Sequence, residues 1–569
     1  MGFRPLKLFP KPNTASTNEP PADPPDAAGK ATADPPPAKR RRVLPIHPFL
    51  FALFPILALY AQNIGQVTID QLGMPLGRTL LTTLAVWVVF LALTRKLRKS
   101  AIAATVVVWY GLLQNLAPAH LRGLLTPVII IGLAALLIAV LRTRKPLFDT
   151  TSVMNLTAIV LVAPSLWAIG NSLLKPRHED IHTASGSRSG GVVSAASSRR
   201  RIGPPASKEL PDVYYIILDA YGRDDRLRMF YGYDNSPFLK ALEDRGFYIA
   251  RHSGANYDQT QLCLASALSM NYLEDKPSSL SPEILRQRID DNEVANYLST
   301  KGYHYVNIWS GMEESRVATA DLVLNNQDDV TTFEGQALGL TLHGASKQAQ
   351  HGRYEAHRER IRGVFRNLNT VAQLPYPKFV FAHALSPHPP FVFGPNGEGV
   401  DPIGPLIMTD GSSLLEEITR DEYKKGYINQ LQYINQQVLG AVDSILKQSR
   451  RPPIIIIQGD HGSRMNLDWY SEAKTDLREP FSNLNAYLVP KKVRGYLYDD
   501  ITPVNSFRIL LSHLFGAKLE PLPNRSFYST ASHPFDFKEV TRLLRGESSA
   551  AYTGPGSAGA GPAETSATK

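Results

Sequence analysis

Four places in the sequence hold residues that could bind a metal ion and transfer a group. The run Ile454-Ile455-Ile456-Ile457 passes through Gln458 and Gly459 straight into Asp460, His461 and Gly462. Neighbouring side chains on an extended strand point to opposite faces, so this carboxylate and imidazole meet at one ion only where the chain turns. Gly459 and Gly462 permit that turn. Asp219 stands in the same relation to the apolar run Val213–Leu218, with Arg223 close behind it. Thr260 opens an apolar stretch, 261–270, of helical character. A hydroxyl at a helix N-terminus lies among unpaired N–H groups that favour an anionic ester oxygen. His388 is flanked by prolines in Ser386-Pro387-His388-Pro389-Pro390, a setting for binding an anionic oxygen or protonating a leaving group. His383, just upstream, reads as a satisfied core histidine.

Asp219, Asp460, His461 and Thr260 together make a donor set for one divalent cation, zinc or manganese, with magnesium admissible because three of the donors are oxygens. Threonine is a poor nucleophile at neutral pH, and coordination to such an ion is one way to activate it.

The elements that must position these groups follow from the apolar pattern. Four consecutive isoleucines predict a strand covered on both faces, as in parallel sheets, and open α/β sheets bind ligands beyond the carboxyl ends of their strands. From Pro211 strands alternate with helical patterns, which predicts an α/β domain over 211–545. Its strands are expected at Val213–Leu218, 247–250, 303–308, 378–382 and 484–489, besides the isoleucine run. Helices are expected at 236–245, at 504–514 and along Tyr427, Leu431, Ile434, Val438, Val442 and Ile445.

Ahead of this domain lie five apolar stretches, 44–61, 79–94, 101–116, 123–141 and 153–174, each near the ~20 residues that a bilayer-spanning helix needs. Region 44–175 is accordingly expected to hold five transmembrane helices. Arg40, Arg41 and Arg42 precede the first span; Arg95, Lys96, Arg98 and Lys99 follow the second; Arg142, Arg144 and Lys145 follow the fourth. Cations collect on the cytoplasmic side, so the N-terminus is expected there and the α/β domain on the periplasmic or extracellular side. Segments 1–43 and 546–569 are expected to be disordered and 176–210 to be a flexible linker. The net charge of +10 is largely accounted for by the basic joints around the spans, which leaves no case for a nucleic-acid partner. The single cysteine, Cys263, excludes an internal disulfide and a cysteine-rich zinc site.

With these motifs the chain resembles the sulfatase-like branch of the alkaline phosphatase superfamily, in particular its membrane-anchored lipoteichoic acid synthases and phosphoethanolamine transferases. The resemblance spans roughly 211–537. It implies helices around a mostly parallel sheet, Asp219, Thr260, Asp460 and His461 on the metal, and Thr260 as the nucleophile of a phospho-threonine intermediate. It also implies that His388, with Arg223, meets the substrate phosphate. A membrane lipid or cell-envelope glycan would be the substrate. The transferases' pattern Thr-x-x-Ser-x-Pro-Cys is altered here to Thr260-Gln261-Leu262-Cys263-Leu264-Ala265-Ser266, and their first ligand, Glu, is Asp219. A sulfatase would mature a cysteine or serine in Cys/Ser-x-Pro-x-Arg, and Cys263 has neither the proline nor the arginine. A sulfuric ester hydrolase and an inactive membrane scaffold are the alternatives.

Overall fold

The structure is a computed structural model that describes residues 43–62, 64, 69–116, 119–174, 210–273, 279–324, 332–342, 347–402 and 409–545. The expected disordered and linker segments fall, but for Val43 and Leu210, outside these residues.

Three wholly buried strands form the centre of the α/β domain: β1 (Val213–Leu218), β5 (Lys378–Ala384) and β6 (Ile454–Gln458). Around them the sheet runs β2-β7-β6-β1-β5-β3-β4, with β2 at Tyr248–Ile249, β3 at His304–Ile308, β4 at Leu322–Leu324 and β7 at Asn485–Leu488. β1 pairs in parallel with β5 and β6, and β3 with β5 and β4, while β7 is antiparallel to β6 and β2. Alternation divides the core. Val213, Tyr215, Ile217, Phe379, Phe381, Ile454 and Ile456 face one side. Tyr214, Ile216, Leu218, Val380, Ala382, Ile455 and Ile457 face the other. Each such aliphatic side chain contributes ~1.5–3 kcal/mol on burial.

Helices Thr260–Ser269 and Pro503–Phe515 cover the first face, and Lys347–Val371 and Arg420–Gln448 the second. The last of these starts at a capping box, where Thr419 accepts from the Glu422 N–H and Glu422 reaches back to the Thr419 N–H. Lys347–Val371 has no counterpart among the expected elements. It carries many charged residues, and its apolar stripe of Tyr354, Ile361, Val364, Phe365, Leu368 and Val371 packs on the core, with His357, Arg358 and Arg360 buried beside it. The hairpin of β8 (Phe527–Thr530) and β9 (His533–Glu539) closes the domain.

The membrane region contains five helices: α1 (His47–Gln62), α2 (Gly73–Thr94), α3 (Leu97–Leu116), α4 (Ala119–Arg142) and α5 (Phe148–Leu174). Three stretches, 69–94, 124–142 and 148–173, are long and apolar enough to cross a membrane on their own. α1 has 16 residues, about 24 Å at 1.5 Å per residue against a hydrocarbon core of ~30 Å. α3 carries Arg98 and Lys99 in its first turn. Leu81, Leu93, Ile131, Leu156 and Trp167 point outward and exposed, the apolar exterior that a bilayer-embedded bundle presents.

Lys99 Nζ donates to Thr143 O at 3.2 Å and Arg98 lies over the Phe148 ring, so the two basic joints share one end of the bundle. The α/β domain meets the opposite end. Its helix Thr332–Gly339 sets Phe333 edge-on to Tyr60 and packs with Ala337 against Ile56, Leu57, Leu72, Val162 and Ile169.

Candidate metal centre and nucleophile

The parallel register sets the site. Ile217 of β1 lies level with Gln458 of β6 and with His383 of β5. Two residues on, just past the ends of β1 and β6, come Asp219 and Asp460. Ala220 turns the chain with φ of 62° and its N–H donates to Asp460 Oδ1 at 3.1 Å. Gly459 passes so close to this turn that a Cβ there would lie 2.5 Å from Tyr221 O. The chain then curls, bringing His461 to the same side as Asp460.

His461 Nδ1–H donates to Gly462 O at 2.7 Å, so Nε2 carries the lone pair and accepts from the Thr260 hydroxyl. That atom lies 3.2 Å from Asp460 Oδ2, 3.5 Å from Asp219 Oδ1 and 3.1 Å from Thr260 Oγ1. Burial, with Arg464 nearby, holds the imidazole below its usual value and hence neutral. His383 is wholly buried with its Nε2 3.2 Å from Asp219 Oδ2. Neither of its ring nitrogens has a hydrogen-bond partner, nor do Asp219 Oδ1 and Asp460 Oδ2. His383 is therefore not the satisfied core histidine expected from sequence. One ligand atom from each of Asp219, His383 and Asp460 lies within 4.8 Å of the other two. Buried carboxylates and imidazoles left without partners cost several kcal/mol, and a divalent cation among them would offset that cost. The residues present fit such an ion.

Thr260 is the first residue of its helix, after an extended Gln259, and is 7% exposed. Three residues on, Cys263 faces the core, donates Sγ–H to Tyr257 O at 3.1 Å and has its thiol pushed far up by burial.

His388 is fixed at several points. Its N–H donates to Asp219 O, its carbonyl accepts from Gln430, and its Nδ1–H donates to Pro389 O at 2.6 Å. Its Nε2 lies 3.3 Å from Asp410 Oδ2. Burial alone would depress this histidine, but the Asp219 and Asp410 carboxylates raise it to about 9, so it is an imidazolium at neutral pH.

Arg223 finds other partners. Its guanidinium is clasped by Asp225 at 2.7 and 2.9 Å and donates to Ser253 O. The cation beside His388 is Arg464, almost wholly buried, which pairs with Asp410 at 3.2 Å, donates to Asp258 O and lies over the Trp469 ring. Sequence reasoning assigned no role to Arg464 or Asp410. Arg464 had a weak signal in directly following the Asp460 turn, whereas Asp410 had none.

No protein-family model matches this sequence, and no curated protein matches it. Solved structures similar to it include the integral membrane protein lipooligosaccharide phosphoethanolamine transferase A from Neisseria meningitidis. That match covers 83% of this chain and 95% of the other, at 12% identity and a TM-score of 0.37. The C-terminal periplasmic domain of EcEptC from Escherichia coli, also known in complex with Zn, matches 58% of this chain and 94% of its own at 13% identity and TM-score 0.38. A protein in the alkaline phosphatase superfamily from Vibrio parahaemolyticus matches 61% and 81%, at 15% identity and TM-score 0.35. Phosphoethanolamine transferases, one of the groups the sequence motifs resemble, are among these structures.

Proposed function

We propose that the protein is a membrane-anchored, metal-dependent phosphotransferase or phosphodiesterase acting on a lipid or glycan outside the cytoplasm, with Thr260 as nucleophile. One observation carries this reading: the Thr260 hydroxyl, at a helix N-terminus, stands 3.1 Å from His461 Nε2 beside a buried cluster of unsatisfied metal-ligating groups. Asp219, Asp460 and His461, together with His383, would hold the ion. When bound it would supply charge for lowering the hydroxyl pKa and for balancing phosphoryl oxygens, and a set with two imidazoles favours zinc or manganese.

In the reaction, deprotonated Thr260 Oγ1 attacks phosphorus and the bond to the leaving oxygen breaks, giving phospho-Thr260. The helix N-terminus and the cationic pair His388 and Arg464 face the developing negative charge, and His388 can protonate the departing oxygen. An acceptor alcohol, or water, then gives its proton to the now neutral His388 and attacks the phosphorus in line, and the P–O bond to Thr260 breaks. Arg223, paired to Asp225, has no part in these steps.

Docking of the domain at the end of the bundle opposite the basic joints supports an extracytoplasmic site, because cations mark the cytoplasmic end. An inactive scaffold would gain stability by replacing Asp219, His383 and Asp460 with apolar residues. Their presence, buried and with polar atoms left without hydrogen bonds, supports an enzyme.

The test uses the purified, metal-loaded protein with a phosphodiester and a sulfate ester assayed side by side. Thr260→Ala is expected to lower turnover of the phosphodiester by about three orders of magnitude or more, the loss expected on deleting a covalent nucleophile. Cys263→Ser should retain most activity. Intact-mass analysis during turnover should show a phosphate-sized adduct on Thr260. Activity that survives Thr260→Ala and disappears in Cys263→Ser would favour the sulfatase instead.

A further inference from the structure

A cavity of about 280 Å³ lies behind the segment that delivers Thr260, with Gly254 in its wall. Four arginines line it, Arg223, Arg226, Arg478 and Arg545, together with Thr502 and Asn524, and Asp500 is the one carboxylate in the lining. Two of the arginines have carboxylates of their own. Asp225 takes Arg223 in a two-pronged pair, and Asp476 does the same for Arg478.

Arg226 is placed differently. Its side chain is only 18% exposed, and it lies 3.3 Å from Asp225, the carboxylate that Arg223 already occupies. Its other contacts are long, 3.4 Å to Ser482 Oγ and 3.7 Å to Met229 Sδ. Burial and the neighbouring guanidinium groups of Arg223 and Arg478 oppose its charge, yet arginine does not give up its proton in proteins. A planar, permanently charged fork with a shared counter-ion, facing a cavity rimmed by further guanidinium groups, matches the geometry of phosphate oxygens.

We propose that this cavity is a second anion site, separate from the metal centre, which binds a phosphate group through Arg226, with the neighbouring guanidinium groups of Arg223 and Arg478 adding positive charge. Phosphate binding there does not require the phosphotransferase reading. If that reading also holds, the site anchors a non-reacting phosphate elsewhere on the substrate, since Gly254 in the wall precedes Thr260 on one continuous segment.

The experiment uses the full-length protein in detergent, stripped of metal by a chelator so that no ion at the metal centre draws the anion. Calorimetric titration with inorganic phosphate is expected to show one phosphate bound per chain. Arg226→Gln should weaken it at least about tenfold, or ~1.4 kcal/mol. Arg478→Gln, at a half-exposed position, should weaken it as well by removing a nearby positive charge, whereas Asp460→Asn should bind as the wild type does. Parallel titrations with glycerol phosphate and a short-chain phosphatidic acid distinguish a glycan-type phosphate from a lipid headgroup by which binds more tightly. No binding in the wild type, or binding unchanged in both arginine variants, overturns the proposal. Turnover of Thr260→Ala, measured separately, tests the catalytic reading alone.

Discussion

His388 shows how individual charges tune this site. Burial would strip its proton, and Asp219 and Asp410 reverse that outcome, raising it from 6.5 to about 9. Because the folded value lies above the unfolded one, its protonation contributes stability that is complete below pH 6.5 and is lost as the pH rises through about 9. In metal-free protein the His388 ring resonances are expected to titrate near that upper value by NMR. Asp410→Asn should lower the midpoint by about 1–3 pH units, since one of two opposite charges has gone. An unchanged midpoint would mean that Asp410 does not hold the proton. Asp410 is itself held down at about 2, against the effect of burial, by Arg464 and His388. The three groups act as one unit and set two cations beside Asp219.

Strand register sets Ile217 level with His383 and Gln458, and the residues just past β1 and β6, Asp219 and Asp460, then join His383 in one cluster. The turn after β6 then has to fold back tightly, and Gly459 allows it by passing against Tyr221 O and His461 O. Gly459→Ala would place a methyl group 2.5 Å from one backbone oxygen and 3.0 Å from the other. Backbone cannot yield as a flexible side chain can, so Asp460 and His461 should move together. Metal affinity, read by competition with a chelator, is expected to fall about 10–100-fold, the usual scale for disturbing the groups that support a ligand. The β6 strand itself should persist, because its isoleucines still fill both cores. Ile456→Ala is the contrasting change: it should cost about 2–5 kcal/mol in denaturant unfolding by leaving a cavity.

At the scale of the whole molecule, the α/β domain docks on the bundle of membrane helices. α3 approaches the segment after Thr332–Gly339 at Gly111, where a Cβ would lie 2.8 Å from Leu342 N and 2.9 Å from Thr341 C. Gly111→Val is therefore expected to loosen the docking without touching the site. Turnover of a water-soluble ester should be retained, while turnover of a bilayer lipid falls and the junction becomes open to proteolysis. Equal loss on both substrates would place the defect in folding. Orientation is tested by reporters: one fused after Lys175 should read as extracytoplasmic and one near Lys96 as cytoplasmic. The opposite pair of signals would put the site in the cytoplasm and remove the proposed function.

Continuous apolar runs and the residues just beyond them were legible in the chain, because a strand buried on both faces must be apolar throughout and its end must be polar. Val213–Leu218 and the isoleucine run therefore announced β1 and β6, and with them Asp219, Asp460 and His461. The start of the helix at Thr260 was legible for the same local reason. Helix Lys347–Val371 was not, since its apolar stripe is narrow and its charges dominate any window. Nor could local pattern show that His383 completes a cluster with two aspartates far along the chain. A buried histidine looks the same in sequence whether it is paired or orphaned. The Arg464–Asp410–His388 contact and the displacement of Arg223 to Asp225 likewise depend on loops that meet only after the sheet has formed. Local pattern reports what an element buries. Which charges face one another across it is decided by register and packing, which no single stretch of the chain contains.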